Sequence, residues 1–161
     1  EEQLDVVVHP QSIIHGMVAY KDGSVIAQMS APDMRMPIAH CLSWPQRSPI
    51  GGPRLDLTRI GRFTFERPDL DRFPALRIAR AALGAGSWAT NILNAANEVA
   101  VAAYLAGNIG FLEIARLVEE TIERAAAQGL SHAPGSIKDA LALDREGRRI
   151  ATSLLTRRET A

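Results

Sequence analysis

The chain carries one cysteine in 161 residues. Cys41 has no partner for an internal disulfide, which suits a reducing compartment. On the apolar side of a predicted helix, such a thiol is expected to behave as a small hydrophobe rather than a nucleophile. Aromatic residues are few: four Phe, two Trp and two Tyr, scattered without the stacking ladder that single-stranded nucleic acid needs. Neither charge sign is in excess, because eighteen basic residues balance eighteen acidic ones, so no global field draws the chain to nucleic acid or an anionic membrane. No apolar run approaches the length of a membrane span. Glu1-Glu2-Gln3 is acidic and unlike a signal peptide. These absences point to a cytoplasmic protein with neither nucleic acid nor membrane as partner. There is also no HExxH, no CxxC, and no GxGxxG following a strand. Gly84-Ala85-Gly86 holds two glycines of the last pattern, but it follows a predicted helix and is set aside.

What is present begins with the β-branched run Val6-Val7-Val8, stopped by Pro10. Ile13, Ile14, Met17, Val18 and Tyr20 then lead into Lys21-Asp22-Gly23, and Val25, Ile26, Ala27 and Met29 lead away. Asp-Gly between apolar runs predicts a hairpin with a type I′ turn, which needs positive φ at both central residues. Asp33 is placed to cap a helix opening near Met34, whose apolar stripe is Met34, Ile38, Cys41, Leu42 and Trp44, with Pro45 as its stop. The first 48 residues therefore read as strand, hairpin and helix.

Residues 49–73 change character, with Pro49, Gly51, Gly52, Pro53 and Pro68 marking an irregular linker in which Phe63-Thr64-Phe65 is a candidate short strand. Residues 74–161 then read as four amphipathic helices. The first runs from Pro74 to Leu83. The second runs from Trp88, capped by Ser87, to Ala106. The third runs from Phe111 to Gln128 on a Leu112, Ala115, Leu117, Val118, Ile122 stripe. The fourth, capped by Ser136, runs from Ile137 to Arg158. Gly147 inside the last helix costs about 1 kcal/mol relative to Ala and is a candidate break. Short glycine-containing turns and an Ala-rich second helix favour a closely packed four-helix bundle. The fold class is α+β.

Four histidines prompt a metal search, but none has acidic or thiol partners at ligand spacing. His40 and His132 read as satisfied or solvated rings. His9 and His15 flank the Pro10 bend, and His15 lies within an apolar strand, where an imidazole must find hydrogen-bond partners. Pro32, Asp33 and Met34 sit where a strand hands over to a helix, a place where loop residues commonly face a crevice. Arg35 is a candidate partner of Asp33. Asn94 and Asn97, three apart, share a helix face and read as buried hydrogen-bond brackets, with Glu98 beside them. Glu119, Glu120 and Asp144 read as solvated helix faces.

The ungapped run VVVHPQSIIHGMVAYKDGSVIAQMSAPDMRMPIAH, with its HPQSxIHxMVxYxDGS and PDMRxPIAH patterns, resembles the 1-deoxy-D-xylulose 5-phosphate reductoisomerase family. Leu93-Asn94-Ala95-Ala96-Asn97-Glu98 resembles it too. The resemblance covers essentially the whole chain, while the chain covers only the C-terminal part of the family's protein. It implies that residues 1–48 end a catalytic and dimerisation domain, 49–73 link, and 74–161 form a terminal helical bundle. It implies NADPH-dependent isomerisation and reduction of 1-deoxy-D-xylulose 5-phosphate to 2-C-methyl-D-erythritol 4-phosphate in non-mevalonate isoprenoid biosynthesis, with a Mg²⁺ or Mn²⁺ ion, by a homodimer.

By the same resemblance Pro32 and Met34 line the substrate pocket and His15 lies close to the catalytic groups. Ser12, Gln11 and Met17 are supports. The family's cation-binding carboxylates and phosphate-gripping Ser, Asn and Lys residues match nothing here. No metal or cofactor is therefore expected on this chain alone, and no turnover. Its partner would be the rest of the same enzyme. The alternative is a non-catalytic α+β interaction module.

Overall fold

The computed structural model describes residues 3–159 and divides them into two compact units, one spanning Asp5–Pro68 and one built from Asp69 onward. In the first, β1 (Ile14–Ala19) and β2 (Val25–Met29) pair antiparallel, and α1 (Arg35–Ser43) and a single helical turn, α2 (Leu57–Ile60), come after them. The hairpin lies where the alternating apolar runs put it, but its turn differs from type I′. Gly23 takes φ +87° and Asp22 does not enter the positive region. Gly23 N–H donates to the Tyr20 carbonyl at 3.0 Å and Tyr20 N–H to the Ser24 carbonyl at 2.9 Å, a turn followed by one left-handed residue. The Asp22 carboxylate explains the choice, because it accepts from both Ser24 N–H and Ser24 Oγ at 2.9 and 2.6 Å, bonds that hold Asp22 in the ordinary region.

Val6–Val8 is not a strand. Only Val8 pairs, through two backbone bonds of 2.9 Å with Glu66, so the pairing also falls one residue beyond Phe63-Thr64-Phe65. Within 49–68 the turn of α2 interrupts the expected irregular linker. Asp56 makes it, accepting from the Thr58 and Arg59 N–H groups. α1 opens at Arg35 rather than Met34 and buries none of its own residues: Ile38, Cys41 and Leu42 are exposed, as is Trp44 just after it.

The second unit is the four-helix bundle: α3 (Ala75–Ala85), α4 (Ser87–Leu105), α5 (Phe111–Ala127) and α6 (Ile137–Glu159). α4 is its centre and packs against the other three. Its alanines explain this, since Ala89, Ala95, Ala96 and Ala100 are fully buried and let neighbouring backbones approach. Ile92 and Leu117 are completely enclosed, worth about 1.5–3 kcal/mol each. The buried Thr121 hydroxyl donates to the Leu117 carbonyl at 2.7 Å, so no polar group is stranded there.

Gly86, at φ +111°, is the boundary residue between α3 and α4. Ser87 therefore falls inside α4 rather than capping it. Ser136 does cap α6, accepting from Asp139 N–H at 3.2 Å. α6 runs unbroken through Gly147. Its core face is Leu143, Ile150, Ala151 and Leu154, while Ile137 and Leu141 are exposed because the helix turns them away from that line. Leu112 of α5 is exposed for the same reason. Among the described residues no helix is long and apolar enough to cross a membrane.

Candidate functional site

The candidate site is the open end of the hairpin, built from three pieces of the first unit. The first is the start of β1. Register runs Ile14 to Met29 and then Gly16 to Gln28, so His15 is the extra residue of a β-bulge. Such a bulge interrupts the ladder and re-aims a side chain. His15 is exposed, not enclosed within an apolar strand. Just upstream, Ser12 takes φ +50°, the one non-glycine residue in the left-handed region among those described.

The second piece is the exit from β2. Ser30 N–H donates to the Ile13 carbonyl at 3.1 Å, which sets the 31–34 loop beside the Ser12–Ile14 segment. Ala31 is buried and anchors it, while Pro32 and Met34 are exposed, Met34 at 71%. Asp33 shapes the entry into α1. Its carboxylate accepts the Arg35 guanidinium through Nε at 3.0 Å and Nη2 at 2.5 Å, and also the Arg35 backbone N–H at 2.9 Å. Those bonds, the guanidinium first, hold its carboxyl down at about 2. Pro32, Met34, Ser12 and His15 are thus carried by adjoining segments at one end of the hairpin.

The third piece was hardly visible in the sequence. His9 Nδ1–H donates to the Thr64 carbonyl at 2.9 Å, and its ring stacks on Phe65 at 4.9 Å and meets Phe63 edge-on at 5.6 Å. Gln11 Nε2 donates to Thr64 Oγ1 at 2.8 Å, and Thr64 N–H donates to Gln11 Oε1 at 3.3 Å. His9 is thus tied down through Nδ1, while its Nε2 is buried without a hydrogen-bond partner among the described residues. The only signal for this tie was the polar pair His9 and Gln11 around a proline, with two phenylalanines far downstream. Met17 lies within β1 and is exposed.

Asn94 and Asn97 belong to the bundle unit. Both are exposed on α4 rather than buried. The bracketing falls to neighbours: Asn91 Nδ2 donates to the Ala140 carbonyl at 3.2 Å, and Glu98 receives Arg148 Nη2 at 2.6 Å. His40 meets Trp44 edge-on, its Nδ1 buried and without a partner among the described residues, and His132 lies against the Gly129 carbonyl. Asp144 and Glu119 are ion-paired, with Arg148 at 2.8 Å and Arg77 at 2.7 Å, rather than simply solvated.

Among the described residues no three His, Cys, Asp or Glu side chains gather into a group that could hold a metal ion. Among the described residues the sheet is one antiparallel hairpin, with no parallel crossover.

The family model described as the DXP reductoisomerase C-terminal domain matches residues 29–150. The chain belongs to that family. It is 54% identical over 154 residues to the 1-deoxy-D-xylulose 5-phosphate reductoisomerase of Rhodopseudomonas palustris (strain HaA2), covering 96% of this chain and 38% of that protein. With the enzyme of the same name from Afipia carboxidovorans it shares 58% identity over 156 residues, again 96% and 38%. Among solved structures, the Zymomonas mobilis reductoisomerase in complex with NADPH superposes with a TM-score of 0.80 at 45% identity, covering 92% of this chain and 38% of that one. A DOX-P reductoisomerase in complex with NADPH, fosmidomycin and magnesium superposes with a TM-score of 0.87 at 41% identity, covering 93% and 38%. The matched residues run from the end of β2 through α1 and into α6 as far as Ile150. The chain spans 38% of the length of these relatives.

Proposed function

We propose that this chain is the C-terminal portion of an NADPH-dependent 1-deoxy-D-xylulose 5-phosphate reductoisomerase, which yields 2-C-methyl-D-erythritol 4-phosphate. The observation that carries the reading is the identity of more than half the residues to named reductoisomerases across 96% of the chain. NADPH supplies the hydride, and Mg²⁺ or Mn²⁺ the Lewis acid, from the remaining portion of the enzyme. What this chain adds is shape. Pro32 and Met34 form an apolar wall for the phosphorylated sugar, and His15 at its bulge stands near the reacting groups. Apolar contact of this kind excludes water and orients the substrate, which lowers the barrier through positioning. The bundle serves as scaffold.

The exposed apolar residues of the hairpin and α1, such as Val18, Ile26 and Trp44, suit burial against the rest of the enzyme or a second subunit, in keeping with a cytoplasmic homodimer. The test is a graft. This chain replaces the corresponding 38% of the Rhodopseudomonas palustris reductoisomerase. Oxidation of NADPH in the presence of 1-deoxy-D-xylulose 5-phosphate and Mg²⁺, at a rate within about tenfold of the parent, supports the reading. A folded graft that oxidises none contradicts it.

A further inference from the structure

Ser12 poses a physical problem that the hairpin does not solve. A side chain in the left-handed region costs about 1–2 kcal/mol and persists only where its surroundings over-determine it. Its own turn contributes one bond, Ser12 N–H to the His9 carbonyl at 3.0 Å. The rest comes from far along the chain. All three polar groups of Thr64 are used on this turn: its carbonyl receives His9, its N–H reaches Gln11 Oε1, and its hydroxyl accepts Gln11 Nε2. The stack of His9 on Phe65 and the two Val8–Glu66 backbone bonds close the tie on either side.

This tie joins segments 53 and 55 residues apart, and it ends one residue before the strained serine. Two residues after Ser12, β1 begins, and the bulged His15 comes directly after. Ile13 between them holds Ser30, from which the Pro32–Met34 loop departs. A turn fixed at Gln11 thus sets the starting point of both the histidine and the pocket wall.

We propose that Gln11 and Thr64 are positioning residues for His15 and the 31–34 loop, acting through the strained turn at Ser12. The proposal rests on the chain being part of a reductoisomerase. It makes residues 62–66 part of the site's support rather than a connection between domains.

The experiment uses the grafted enzyme with Thr64→Val, Thr64→Ser and Gln11→Met, each assayed for kcat and KM per folded molecule beside its melting temperature. Thr64→Val and Gln11→Met are expected to lower kcat by roughly tenfold to a hundredfold, as small misplacements of reacting groups do. The KM for NADPH should stay within about twofold, and Thr64→Ser should restore kcat to near the parent. Folded variants with parental kcat would overturn the proposal, as would loss of folding in both Thr64→Val and Gln11→Met, which would make the pair purely structural. If only Thr64→Val fails to fold, Gln11→Met decides. An unmutated graft without turnover instead brings down the reductoisomerase reading, so the two failures are told apart.

Discussion

Gly147 of α6 sits against Ala95 of α4 so closely that a methyl group at 147 would lie 3.0 Å from the Ala95 Cβ and 3.1 Å from Ile92 Cδ1. The glycine that looks like a helix break in the sequence is the point where the two helices meet. Ile92 is itself completely enclosed, and the Ala95 Cβ moves only with its backbone. Gly147→Ala gains about 1 kcal/mol of helix propensity and incurs overpacking of about 1–3 kcal/mol. The net expectation is a loss of about 1 kcal/mol in urea denaturation, with Gly147→Val losing more. A more stable Gly147→Ala would show that the crossing has slack.

Met34 offers a contrast, because at 71% exposure it has little to lose in packing within this chain. In the grafted enzyme Met34→Ala should raise the substrate KM about fivefold, which corresponds to about 1 kcal/mol of lost apolar contact, with a melting temperature within about 2 °C of the parent. An unchanged KM with a large fall in melting temperature would make Met34 a packing residue.

Asp33 gives a pH dependence with a definite sign. Its carboxyl is lowered from 3.8 to about 2 by the Arg35 guanidinium and backbone N–H. A depressed carboxylate contributes fully above its unfolded value, and the contribution fades as pH falls from about 3.8 through about 2. The 31–35 loop should therefore keep its form at pH 4 and loosen below it. Following the Asp33 side-chain carbon by NMR should give a midpoint near 2, and Asp33→Asn should abolish that step. A midpoint near 3.8 would mean the Arg35 fork is not maintained in solution.

Ser136 caps α6 through Asp139 N–H and donates to the Asp139 carboxylate at 2.8 Å. Ser136→Ala should cost about 1 kcal/mol in chemical denaturation, with Ser136→Thr nearly neutral. Equal stability of Ser136→Ala and the parent would show that water satisfies those groups as well.

Elements governed by local chemistry were legible in the sequence. The hairpin followed from alternation around Asp22-Gly23, the cap from Ser136, and the bundle from four apolar stripes between glycines. Much of what escaped was set by contacts distant in sequence. No periodicity indicates that Thr64 spends its polar groups on His9 and Gln11, or that one extra residue at His15 interrupts the β1 ladder. The turn at Asp22 escaped because its own carboxylate overrode the dipeptide's usual preference. The α1 stripe was legible as apolar and helical, but apolar periodicity alone does not say whether a stripe is covered, and Ile38, Cys41 and Leu42 are exposed. Asn94 and Asn97 share a face, but that spacing does not say whether the face is covered, and both are exposed.

The most direct measurement is NADPH oxidation by the purified 161-residue chain itself, free of contaminating reductoisomerase, with 1-deoxy-D-xylulose 5-phosphate and Mg²⁺ supplied. A chain that contributes a pocket wall and scaffold, with hydride donor and cation held elsewhere, should bind no NADPH and turn over no substrate until joined to the rest of the enzyme. Turnover by the chain alone would contradict it.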